Sequence, residues 1–81
     1  MKVLYFAWVR ERIGEQGEQL DLITGNVGDA IDALAERSPA HELALADRDV
    51  LRFALDQVMV DLDHPIEDAT ELAIFPPMTG G

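Results

Sequence analysis

The chain has 81 residues, no cysteine, and sixteen acidic against six basic residues, giving a formal net charge of −10. This length suits one domain that buries roughly 60–65% of the surface its unfolded form exposes, and a hydrophobic fraction of 48% argues against disorder. Disulfides, thiolate metal sites and cysteine nucleophiles are excluded, and phosphate backbones and anionic membranes are repelled, so neither nucleic acid nor membrane is expected as a partner and a basic protein surface is.

Met1 to Trp8 is rich in aromatic and branched residues at both parities, which predicts a strand buried on both faces and central in a sheet. The same segment lacks the long apolar region of a secretory signal, so a cytoplasmic location is expected. Arg10 to Gly14 reads as a short polar or helical turn ended by glycine. Gly17 to Ile23 alternates, with Leu20 and Leu22 on one face, and predicts a half-buried strand paired with the first.

Thr24-Gly25-Asn26 starts a helix, with Asn26 or Thr24 as its cap. Val27, Ala30, Ile31, Leu34 and Ala35 then form one apolar stripe, with Asp29, Asp32 and Glu36 facing away. Ser38-Pro39 pairs a capping serine with proline at the first helical position and predicts a short helix from Ala40 to about Ala46. Leu51 to Val60 reads as a strand interrupted near Asp56-Gln57. Asp61 to Pro65 is a turn, Ile66 to Thr70 a loop, and Glu71 to Phe75 a last strand stopped by Pro76. Strands on both sides of one main helix predict an α+β fold whose mixed sheet wraps that helix, a ubiquitin-like β-grasp if the first and last strands run side by side. The expected division is a β-grasp domain over 1–76 and a flexible tail over 77–81.

Chemistry-bearing constellations are sparse. His41 and His64 show no metal-ligand spacing and read as solvated histidines. Asp61, Asp63 and Asp68 lack the glycine and bidentate glutamate of a calcium loop, and no Ser-His-Asp set is apparent. No metal site and no bound cofactor are expected. The informative feature is the run Phe75-Pro76-Pro77-Met78-Thr79-Gly80-Gly81. Prolines hold the exit extended, and two glycines make a side-chain-free tip ending in a carboxylate, a shape suited to another protein's active site. The ordinary alternative is an inert frayed end. One parity of the first strand must face away from the helix, and a patch there near the tail exit would dock a partner. Arg10 directly follows that strand, and arginine is enriched at interface hot spots.

Phe6-Ala7-Trp8-Val9-Arg10-Glu11, Asp63-His64-Pro65 and the tail together resemble the molybdopterin synthase small subunits, a family of ubiquitin-like sulfur carriers. The resemblance spans the chain and is most specific in the tail. Asp56 stands where the family often has asparagine, and Met78 where it commonly has a small branched residue. The resemblance implies that a ubiquitin-activating-like adenylyltransferase uses Mg-ATP to adenylate Gly81, that a sulfur donor protein converts the adenylate to a thiocarboxylate, and that the tail (Pro76, Pro77, Met78, Thr79, Gly80) enters a large subunit. There the sulfur would attack a cyclic pyranopterin phosphate, within a heterotetramer whose large subunit supplies the catalytic groups. By position, Phe6, Arg10, Met59 and Phe75 are the expected docking residues. The rival readings are a thiamin-pathway sulfur carrier, a protein modifier joined to lysines through Gly81, an interaction domain with incidental terminal glycines, and a small enzyme in its own right.

Overall fold

The computed structural model describes residues 1–21 and 25–77. Leu22, Ile23, Thr24, Met78, Thr79, Gly80 and Gly81 lie outside the described residues, so the expectations resting on Leu22, on a Thr24 cap and on the last four residues fall there. The elements are β1 (Lys2–Tyr5), α1 (Ala7–Ile13), β2 (Gly17–Gln19), α2 (Val27–Ala35), α3 (Pro39–Ala44), β3 (Arg52–Leu55), β4 (Val58–Val60) and β5 (Glu71–Phe75). They build one five-stranded sheet in the order β2-β1-β5-β3-β4. β1 and β5 are parallel, and the other neighbours are antiparallel. A mixed sheet carrying its helices on one face, with the first and last strands adjacent and parallel, is the ubiquitin-like β-grasp.

Two expectations about the first segment are corrected. The strand ends at Tyr5, and Trp8 lies in α1. Val9 and Ile13, four residues apart, are both buried, so helical spacing here outweighs the strand preference of the aromatic and branched residues. Ala7 turns the chain into α1 with a φ of 52°, and Gly14 ends the helix at a φ of 88°. Nor is β1 buried on both faces. Val3 and Tyr5 point into the core, whereas Lys2 is exposed and Leu4 half-buried.

The core lies between the inner sheet face and the helices. Val3, Tyr5, Phe53, Leu55, Leu72 and Ile74 meet Val9 and Ile13 of α1 and the α2 stripe of Val27, Ala30, Ile31 and Leu34. The start of α2 shows why the chain folds this way locally. Asn26 accepts from the Asp29 N–H, and Asp29 accepts from the Asn26 N–H, each at 2.9 Å, a reciprocal capping box. The other free donors of the first turn meet a distant loop: Val27 N–H donates to the His64 carbonyl at 3.0 Å and Gly28 N–H to the Leu62 carbonyl at 2.7 Å. Ser38 caps α3, accepting from the His41 N–H at 3.1 Å, with Pro39 next in the chain. Asp56 and Gln57, with φ of 46° and 71°, form the two-residue turn between β3 and β4.

Candidate functional site

Strand alternation sends every second side chain to the face opposite the helices. Cross-strand register aligns four of these: Leu4 pairs with Ala73, Ala73 with Ala54, and Ala54 with Met59. This apolar row crosses the sheet from β1 to β4. Its two middle members are alanines, so the row is low at its centre. A shallow depression of about 510 Å³ opens there, lined by Leu4, Phe6, Gln57, Glu71, Ala73 and Phe75.

At the end of the sheet from which the last strand leaves, Phe6 and Phe75 stack edge to face, with ring centroids 6.3 Å apart and planes at 86°. The Phe6 N–H donates to the Ile74 carbonyl at 3.1 Å, which extends the β1–β5 ladder one step past the strand. The left-handed turn at Ala7 then lets Phe6 stay on the open face while α1 departs. For an alanine this conformation costs roughly 1–2 kcal/mol, so the strain sits beside the exposed ring. Phe6 is 44% exposed and Met59 56%, so both ends of this face present apolar side chains to solvent.

Of the expected docking residues, Phe6 and Phe75 are in contact and Met59 lies on the same face two strands from Phe75. Arg10 is exposed on α1, one helical turn after Phe6, and does not line the depression. Pro76 and Pro77 are half-buried at the exit, and Met78, Thr79, Gly80 and Gly81 lie outside the described residues.

A second polar cluster was not anticipated. His64 is exposed, but His41 is buried, which corrects the solvated reading. Its Nε2 lies 2.5 Å from Glu18 of β2, and its Nδ1 lies 2.7 Å from the Ser38 hydroxyl. The Tyr5 hydroxyl donates to the same Glu18 carboxylate at 2.7 Å, and Arg37 donates to its second oxygen at 3.1 Å. Burial pushes Glu18 up, yet the bonds from His41, Tyr5 and Arg37 outweigh it and hold the carboxyl below its ordinary range. Burial, reinforced by the bond to Glu18, pushes the Tyr5 hydroxyl far above the usual phenol range. Serine, histidine and a carboxylate are thus in line, contrary to the sequence reading. Ser38 is nevertheless engaged as a helix cap, and Glu18 is saturated by three donors. The cluster fastens the edge strand β2 to α3 and to the α2–α3 turn. The cap was legible in Ser38-Pro39, but Glu18 is 23 residues from His41 and only the fold brings it there. Among the described residues, no group of three His, Cys, Asp or Glu side chains is placed to hold a metal ion.

The model of the ThiS family matches residues 3–81. The chain belongs to the ThiS family. Within that family setting, it is 40% identical to the molybdopterin synthase sulfur carrier subunit of Escherichia coli K12, over 100% of this chain and 99% of that protein. It is 33% identical to the subunit of the same name from Haemophilus influenzae Rd, again over 100% of this chain and 99% of that protein. Among solved structures it is similar to SAMP1, a small archaeal modifier protein from Haloferax volcanii, with a TM-score of 0.78, 31% identity, and coverage of 100% of this chain and 98% of that one. These ThiS-family and ubiquitin-like relatives agree with the β-grasp topology.

Proposed function

We propose that this chain is the sulfur carrier subunit of a molybdopterin synthase, with the Gly81 carboxylate as the group that is loaded. The observation that carries this reading is the coincidence of an apolar open sheet face with the exit of the last strand. Phe75 belongs to both: its ring closes the depression against Phe6, and its backbone leads into Pro76 and Pro77. A partner seated on Leu4, Phe6, Ala73, Phe75 and Met59 therefore receives the following residues from a defined starting point.

In the proposed cycle, a ubiquitin-activating-like adenylyltransferase docks first. A Gly81 oxygen attacks the α-phosphorus of Mg-ATP, pyrophosphate leaves, and an acyl-adenylate forms. Hydrosulfide, released at the site by a donor protein, attacks the carbonyl carbon, expels AMP and loses its proton, leaving a thiocarboxylate. With no cysteine in the chain, no thiol of its own competes for the adenylate. The loaded tail then enters the large subunit, its sulfur attacks a carbon of a cyclic pyranopterin phosphate and displaces an oxygen there, and water cleaves the resulting thioester to return the Gly81 carboxylate; two rounds complete the dithiolene. Acid and base groups come from the large subunit. This chain's part is orientation, through the docked face and the proline-stiffened exit. Arg10 is assigned to the rim of the interface, where it affects encounter more than affinity.

A second reading, protein modification through Gly81, is favoured by the likeness to the modifier SAMP1. It shares the adenylation and differs in the acceptor, a lysine amine in place of sulfur. Gly81→Ala tests the main reading in a reconstituted synthase supplied with the pyranopterin precursor. The expected result is a folded variant with no sulfur transfer. Full transfer by the variant contradicts the proposal, and isopeptide-linked products with no dithiolene favour the modifier.

A further inference from the structure

The two edges of the sheet are unlike. At β2, Arg37 donates to the Gln19 carbonyl at 2.8 Å and Glu18 is held by His41 and Tyr5, so that edge is braced from the helical side. At β4 the sequence is Val58-Met59-Val60, with Val58 64% exposed and Met59 56%. Exposed edge strands are commonly blunted by lysine, proline or a bulge, and β4 has none of these.

The register decides which backbone groups face outward. A two-residue turn at Asp56-Gln57 makes Leu55 and Val58 the pair that exchanges hydrogen bonds, so the next pair, Ala54 and Met59, does not. The Met59 N–H and carbonyl therefore point away from β3, along the free edge. The Met59 side chain is also the last member of the apolar row, which makes the edge continuous with the open face. Asp56, Gln57, Asp61 and Asp63 flank the strand and are all exposed.

We propose that β4 is a strand-addition site for an extended, basic segment of a partner protein. Such a segment would exchange two hydrogen bonds with Met59, set an apolar side chain beside it, and bring lysine or arginine to Asp56, Asp61 and Asp63. Charge selects this occupant over a second copy of the chain, because antiparallel pairing centred on Met59 would set Asp61 of each copy opposite Gln57 and beside Asp56 of the other, and would bring together two chains of net charge −10. The inference rests on the geometry of β4 and stands apart from the sulfur-carrier reading.

The test is an amide NMR titration of the full chain with the peptide acetyl-Thr-Lys-Val-Lys-Val-Lys-Thr-amide. Controls are the same peptide with glutamate for lysine, and a version N-methylated at every lysine and valine, so that neither edge can pair. The expected result is saturable shifts centred on Val58 to Asp61 with slowed exchange of the Met59 amide. The glutamate peptide should bind at least about tenfold more weakly, since like charges are then juxtaposed, and the N-methylated peptide should not bind. Met59→Pro removes the outward donor while leaving the β3 ladder intact, and should abolish binding where Met59→Ala retains it. Equal binding of the two charged peptides, shifts elsewhere on the molecule, no binding at millimolar peptide, or self-pairing of the chain through β4 would each overturn the proposal. The peptide controls decide the matter even if Met59→Pro fails to fold.

Discussion

Replacing Glu18 by glutamine tests whether the unforeseen cluster supports the β2 edge of the sheet. The carboxylate accepts from Tyr5 at 2.7 Å, His41 at 2.5 Å and Arg37 at 3.1 Å. The Arg37 side chain is 33% exposed, so its ion pair is largely screened and is left out of the sum. The other two bonds are part-buried, and hydrogen bonds to charged groups each contribute about 1.5–3 kcal/mol. Tyr5 and His41 share one carboxylate oxygen and Arg37 takes the other, so glutamine can keep its acceptor oxygen on Tyr5 and His41 with its amide nitrogen against Arg37. The two bonds then fall from charged to neutral strength, a loss of about 1 kcal/mol each, and the net loss at neutral pH is about 2 kcal/mol. A domain of this size shifts by about 4–8 °C per kcal/mol, which gives a fall in melting temperature of roughly 8–16 °C. Because the folded carboxyl sits below its ordinary range, the stabilisation is complete above the unfolded value of about 4.3 and is lost as pH falls through the folded one. The gap between parent and Glu18→Gln should therefore close on acidification. Urea melts followed by circular dichroism across pH 2 to 7 measure it. A difference below about 0.5 kcal/mol at neutral pH, the range of an ordinary surface substitution, or a gap that persists in acid, would refute the reasoning.

Ala73→Trp should fill the depression on the open face without disturbing the core, leaving the melt nearly unchanged. Its affinity for a cognate large subunit should fall by about 2 kcal/mol or more, as for a blocked hot spot, read by isothermal titration; unimpaired docking would place the interface elsewhere. Asp56→Asn should keep the left-handed turn, which asparagine tolerates well. It should remove part of the acid sensitivity, because bonds from the Thr70 N–H and hydroxyl, joined by the Glu71 N–H, hold the Asp56 carboxyl below its ordinary range. That contribution is present above the ordinary carboxylate range and lost as pH falls, so an unchanged acid limb in the Asp56→Asn melt would contradict it.

Legibility followed the range of the interactions. The α2 stripe, the Asn26 and Ser38 caps, the interruption near Asp56-Gln57 and the last strand all rest on neighbours a few residues apart, and each is present, the interruption as a two-residue turn between β3 and β4. The departure to aspartate at position 56 also has a local sense, since its carboxylate holds Thr70 and Glu71 at the start of β5. The segment from Phe6 to Val9 misled, because its aromatic and branched residues favour a strand while burial of Val9 and Ile13 selects a helix. An open face was foreseeable from parity alone. That Ala54 and Ala73 would lie side by side beneath Phe6 and Phe75 required the strand pairing. Asp63-His64-Pro65 was legible as a turn and as part of the resemblance, but only the fold shows the His64 carbonyl capping α2. His41 was misjudged because what buries and binds it comes from β1 and β2, far away in the chain.

The most direct test of the sulfur-carrier account is the intact mass of the protein after incubation with Mg-ATP, a cognate activating enzyme and a sulfide source. The account predicts a gain equal to one sulfur replacing one oxygen, mapped by fragmentation to Gly81. An unchanged mass, with an activating enzyme shown to be active on another substrate, would contradict it.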